Sequence, residues 1–135
     1  MTFLVERLAE LQKYLQHAEQ IRGRGVAPVE LEKDLTLRND VLFTLLTIAQ
    51  LVIDIAGELT ARRGERFESY REAIRKLAGD PLFSGELTAR LERLAGFRNI
   101  VVHEYVGVDY SKVIEALSEI EPIAEFIAVV RRIES

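Results

Sequence analysis

The sequence predicts an all-α fold: a single-domain bundle of about five helices built on a four-helix up-and-down core. Three observations predict it. Apolar residues recur at a 3.6-residue period along most of the chain, strand-type alternation is weak, and clusters of glycine and proline separate the periodic runs. The 135 residues fit one domain spanning 1–135, and 48% hydrophobic content is enough to bury a real core.

Leu4, Leu8, Leu11 and Leu15 stack on one face of a first helix, roughly residues 2–22, which the run "GRGVAP" (23–28) then breaks. A second helix is expected from about Glu30 to Ala61. Between Leu35 and Leu59 its apolar residues fall on every side, as in a helix covered all round, at the centre of a bundle or against a second subunit. The polar run 61–69 ends it. Ser69 and Glu72 have capping-box spacing for a short third helix that Gly79 and Pro81 stop. Ser84 can cap a fourth helix with Leu87, Leu91, Leu94 and Val101 on one stripe. Gly107 interrupts it, and Asp109 or Ser111 can cap a fifth helix through about Arg132, with Pro122 as a kink in its interior.

Composition excludes several classes of function. The chain has no cysteine, which rules out disulfides and thiolate metal ligands and fits a reducing cytoplasm. Its two histidines, His17 and His103, are far apart in sequence, so no histidine-based metal site is expected, and no cofactor motif is present. The N-terminus alternates charged and apolar residues, unlike a secretory signal. The most apolar run, Val41 to Gly57, contains Gln50 and Asp54 and falls short of the roughly 20 apolar residues that span a bilayer. It reads as a buried helix, so no membrane partner is expected.

The net charge of −4 argues against a general nucleic-acid binder, yet the charge is uneven. Residues 60–100 hold 9 Lys and Arg against 6 Asp and Glu, whereas both flanking segments are acidic. The basic segment leads into "FRNIVVHEY" (97–105). This run sets Arg98, Asn99, His103 and Tyr105 around branched apolar residues. On an ideal helix Arg98 and Tyr105 share a face, Asn99 and His103 share another, and Arg98 and His103 stand about 140° apart around the axis. That geometry disfavours a self-contained pair in a monomer and favours a composite site at a dimer interface. Taken alone, Arg98 is as readily a salt-bridge partner and His103 a solvated helix-end residue.

The longer string "GFRNIVVHEY", an arginine with a polar residue after it and a histidine five positions on, resembles the signature of HEPN domains in their HepT-like branch. "LLTIAQLVIDIAGEL" (45–59), "SYREAIRKLAG" (69–79) and "VDYSKVIEAL" (108–117) follow the same family pattern in the same order, so the resemblance covers most of the chain. It implies a dimeric, metal-independent endoribonuclease, the toxin of a HepT–MntA toxin–antitoxin pair. By the same resemblance Arg98 and His103 are the catalytic pair and Asn99 their polar helper. Tyr105 would be the tyrosine that a cognate MntA-like nucleotidyltransferase adenylylates to silence the toxin. RNA is the implied substrate, and DNA is not expected.

Those residue types suit that chemistry. RNA can be cut by its own 2′-hydroxyl attacking the adjacent phosphorus, so neither an enzyme nucleophile nor a metal is required. An imidazole exchanges protons near neutral pH, a guanidinium fork matches phosphate oxygens, and a carboxamide can orient either. A nucleotide on Tyr105 would block the cleft by volume and repel RNA by charge. The plainer reading of Tyr105 is a half-buried aromatic at a subunit contact. Asp54, inside the apolar run, is expected either to face the cleft and orient Arg98 or His103, or, with Glu58, to satisfy arginines of a neighbouring helix. His17 reads as solvated. Arg62, Arg63 and Arg66 read as residues that keep a loop wet, with RNA steering as the alternative. A second functional reading is a non-catalytic partner of a minimal nucleotidyltransferase that helps bind nucleotide or substrate.

Overall fold

Leu4, Leu8, Leu11 and Leu15 are all buried along one side of α1 (Thr2–Gly23), and Ala18 and Ile21 continue the stripe. Each such leucine contributes roughly 1.5–3 kcal/mol relative to exposure. Gly25, at φ +70°, turns the chain away. The computed structural model describes residues 2–134, the side chain of Thr2 excepted. The elements after α1 are α2 (Pro28–Lys33), α3 (Leu35–Arg62), α4 (Tyr70–Lys76) and a 3₁₀ turn (Leu77–Gly79). They continue with α5 (Gly85–Glu104), α6 (Tyr110–Ser118) and α7 (Glu121–Glu134). All described regular structure is helical.

Among the described residues seven helices stand where about five were expected, because two expected helices each divide in two. The first division is at Asp34, inside the expected helix from Glu30 to Ala61. Asp34 is extended (φ −105°, ψ 99°); its N–H donates to the Glu30 carbonyl at 2.8 Å and its carboxylate accepts the Leu37 N–H at 3.0 Å. It therefore ends α2 and caps α3. The break also serves the core. Leu31 and Leu37 are both buried, yet on one straight helix they would point about 120° apart. Replacing Asp34 with alanine is expected to cost about 0.5–2 kcal/mol, read by chemical denaturation, with Asp34→Ser restoring most of it.

The second division is at Pro122. Rather than kinking a fifth helix from inside, Pro122 occupies the first turn of α7, where its missing N–H is not needed. A helix continued from α6 would drive the proline ring into the Ser118 carbonyl, so the chain leaves helical geometry at Glu119 and Ile120 and restarts.

The four long helices close a ring: α1 packs on α3, α3 on α5, α5 on α7, and α7 returns to α1. This is the expected four-helix core. The short α2 and α6 pack on each other and on α3, while α4 bridges α3 and α5. Inside lie Val41, Leu45, Ile48, Val52 and Ile55 of α3, Leu87, Leu91 and Leu94 of α5, and Phe126 of α7. α3 is central but not covered all round, as its composition had suggested: Phe43 is 58% exposed, and Leu42, Leu46, Leu51 and Ile53 are half-buried. By length and composition α3 could cross a membrane, but half of its most apolar window is buried inside the bundle.

Candidate active site

Ser84 sets the register of the helix that carries the motif. Its hydroxyl accepts the Leu87 N–H at 3.0 Å, and the stripe Leu87, Leu91, Leu94 and Val101 is buried as expected. Within the motif Phe97 and Val101 still reach the core, but beyond them α5 emerges from the bundle: Val102 is 45% exposed, Tyr105 70% and Val106 88%. Gly107 and buried Val108 turn the chain back. Of the two expected caps for the next helix it is Asp109 that acts, accepting the Ser111 N–H at 2.9 Å.

The motif residues fall into two groups. Arg98 and Asn99 are half-buried and joined, with the guanidinium donating to Asn99 Oδ1 at 3.3 Å. His103 lies one turn further along the Asn99 stripe, exposed, with no hydrogen bond or ion pair among the described residues. No hydrogen bond joins Arg98 to His103 within the one chain, as their angular separation on the helix anticipated. Tyr105 caps α5 in helical geometry (φ −61°, ψ −24°) and is exposed on the single chain.

Asp54 is occupied elsewhere. It accepts from Gln50 Nε2 at 2.8 Å and stands 3.9 Å from Arg7 Nε of α1, and no contact with Arg98 or His103 occurs among the described residues. Within the single chain it thus stands beside an arginine of a neighbouring helix, at a distance too long for a hydrogen bond. Glu58 instead takes Arg62 of its own helix, which also reaches Glu134 of α7 at 3.0 Å. Arg63 donates to the Lys76 carbonyl and pairs with Glu65, so two of the three loop arginines hold structure together. His17 is not merely solvated: its Nε2 lies 2.8 Å from Asp40 Oδ1, tying α1 to α3. Among the described residues no cluster of three His, Asp or Glu side chains is placed to hold a metal ion.

Sequence reasoning overlooked Tyr70. The Asn99 amide donates to the Tyr70 hydroxyl at 3.4 Å, linking α4 to the motif. Beside it, Glu92 accepts from Arg75 at 2.8 Å and lies 3.5 Å from Arg71, and it raises the Arg75 pKa by hydrogen bonding and charge. Glu72 is held below the usual carboxylate range, first by the Glu68 N–H and then by Lys76. Ser69 caps α4 through the Glu72 N–H at 3.2 Å, but Glu72 reaches back to Glu68 and not to Ser69, so only half of the expected capping box forms. A cleft of about 370 Å³ opens on another flank of α5, between Arg93, Phe97 and Ile100 and the α6 residues Lys112 and Ala116; no predicted site residue lines it.

Comparison with known proteins bears on the family and the fold. The chain is 25% identical to the "mRNA nuclease HepT" of Shewanella oneidensis over 130 residues, covering 95% of this chain and 96% of that protein. Its fold matches a solved tri-AMPylated HEPN toxin of Shewanella oneidensis in complex with an MNT antitoxin, with a TM-score of 0.84, 24% identity and 98% of each chain covered. It also matches a toxin–antitoxin crystal structure with AMP-PNP, with a TM-score of 0.83, 23% identity, and 97% of this chain and 98% of that one covered. The family model described as "Ribonuclease HepT-like" matches residues 6–130, nearly the whole chain, and the protein belongs to that HepT-like ribonuclease family.

Proposed function

We propose that this protein is a cytoplasmic, metal-independent RNA endonuclease, the toxin of a toxin–antitoxin pair. In this reading it works as a homodimer and is silenced by a cognate MntA-like nucleotidyltransferase at Tyr105. The observation that carries the proposal is the emergent end of α5, where a complete Arg98–Asn99–His103–Tyr105 set stands on a rigid helix. There Arg98 is held by Asn99, while His103 and Tyr105 face solvent without partners among the described residues.

The chemistry follows from those groups. The 2′-hydroxyl of the RNA attacks its own 3′-phosphorus and loses a proton. The 5′-oxygen bond breaks, and that oxygen takes up a proton, leaving a 2′,3′-cyclic phosphate and a 5′-hydroxyl. His103 handles a proton in this exchange, and Arg98 meets the charge that builds on the phosphate oxygens. Because Arg98 and His103 do not meet within one chain, a dimer completes the site. The incompletely covered face of α3, with Phe43 exposed and Leu42, Leu46, Leu51 and Ile53 half-buried, supplies apolar surface for it. Silencing is a nucleotidyl transfer: the Tyr105 hydroxyl attacks the α-phosphorus of ATP, loses its proton, and pyrophosphate leaves.

The test is cleavage of RNA by purified, unmodified protein with chelator present. The wild-type chain is expected to cut, and Arg98→Ala to cut about 10²–10³-fold more slowly while melting at a similar temperature. Cleavage abolished by the chelator and restored by a divalent ion would refute the metal-independent mechanism.

A further inference from the structure

We propose that Tyr70 is a positioning residue for RNA cleavage: its hydroxyl fixes the Asn99 carboxamide, which in turn fixes the Arg98 guanidinium. The inference rests on the ribonuclease reading and deepens it, giving a role to "SYREAIR", a segment the motif itself leaves unused.

Hydrogen-bond chemistry sets the direction of the chain of contacts. A guanidinium carries only donors, so the atom of Asn99 that faces Arg98 must be the carbonyl oxygen, at 3.3 Å. The amide nitrogen then has to face the other way, and there it meets the Tyr70 oxygen at 3.4 Å. A turned-over carboxamide would set donors against donors at Arg98. Arg98 thus selects the orientation of the carboxamide, and the Tyr70 hydroxyl, accepting from its free amide, holds Asn99 in that orientation. Both bonds are at the long end of the range, as befits a site that tightens when a phosphate arrives.

Tyr70 is itself held from several sides. It is the first residue of α4, a register set by the Ser69 cap, and its half-buried ring packs against the core. The Arg71 guanidinium lies 5.6 Å from the centre of that ring and is tied to Glu92 of α5, which also takes Arg75. Glu92, Gly96, Asn99 and His103 follow one stripe of α5, so α4 is fastened to the same face of the helix that carries the chemistry. Gly96 lies beneath the tyrosine: a Cβ there would make ordinary van der Waals contact with the Tyr70 oxygen, at 3.6 Å.

The experiment is a double-mutant cycle on RNA cleavage with Tyr70→Phe, Asn99→Ala and both together, combined with NMR of the Arg98 Nε–H in the same proteins. Tyr70→Phe keeps the ring and removes the acceptor. It is expected to lower kcat by about 2–12-fold with little change in KM, and to cost almost nothing further once Asn99 is alanine. The Arg98 signal should move towards its Asn99→Ala position. An equal loss in both backgrounds, or an unmoved Arg98 signal, would reduce Tyr70 to a packing residue and overturn the proposal. If the wild-type protein cut no RNA, the ribonuclease reading and the catalytic role of Tyr70 would fall together. The Arg98 signal would then still report whether the contact chain exists, so the two failures are distinguishable.

Discussion

His103→Ala is expected to slow RNA cleavage by about 10²–10⁴-fold, the usual contribution of a positioned acid–base group, and to leave the fold untouched. The second half of that expectation comes from the structure. His103 is exposed and makes no hydrogen bond or ion pair among the described residues, so its ring supports nothing that alanine would remove. Surface changes of this kind usually stay within about 0.5 kcal/mol of neutral. The measurement is single-turnover cleavage with chelator, beside a thermal melt and a growth-arrest assay. Arrest that persists at full strength in His103→Ala would refute the proton-transfer mechanism. Absence of cleavage by both proteins across several RNA classes would favour the alternative reading, in which the end of α5 is a docking surface for a nucleotidyltransferase.

Tyr105→Phe should separate silencing from cleavage. RNA cutting is expected to stay within a few-fold of wild type, while incorporation of AMP by an MntA-like enzyme falls to background and growth arrest escapes control. The four tyrosines differ sharply in availability. Tyr14 is half-buried with its ring tilted against Phe43, the Tyr70 hydroxyl accepts from Asn99, and the Tyr110 hydroxyl accepts from Arg38 at 3.0 Å. Tyr105 is 70% exposed, and its hydroxyl has no partner among the described residues. Removing that oxygen therefore costs the fold little and takes away the most accessible phenol. Mass spectrometry of protein treated with the transferase and ATP reads the result directly; AMP retained on Tyr105→Phe would move the modification to another residue.

Much of the architecture was legible because it rests on local repetition. The leucines of α1, the Ser84 cap and the stripe from Leu87 to Val101 announce themselves at helical spacing, and each lies where that spacing puts it. The two missed breaks are of another kind. At Asp34 a side chain competes with the helix for backbone N–H groups, and periodicity on both sides hides the contest. At Pro122 the same residue fits a kinked interior or a first turn, and only the packing of buried Ile120 and Ile123 decides. Contacts between distant residues were illegible altogether. His17 with Asp40 and Asn99 with Tyr70 join residues 23 and 29 positions apart, and no single-sequence spacing rule reaches that far. Within the motif, sequence named Arg98, Asn99, His103 and Tyr105, and the structure adds the residue of α4 behind them.

The way α5 leaves the bundle has a consequence for how this protein can be disarmed. It is gripped by the core as far as Val101, and its last turn projects like the free end of a cantilever, holding His103 and Tyr105 where nothing else depends on them. Substitutions at that tip remove chemistry without loosening the beam. If the proposed toxin function holds, a cell under pressure to survive it thus has single-step escapes that yield folded chains rather than aggregates. In the proposed homodimer, such a chain paired with an active copy would leave a composite cleft incomplete. One inactivated allele would then lower the activity of both products, a protection that a destabilised, degraded variant would not give.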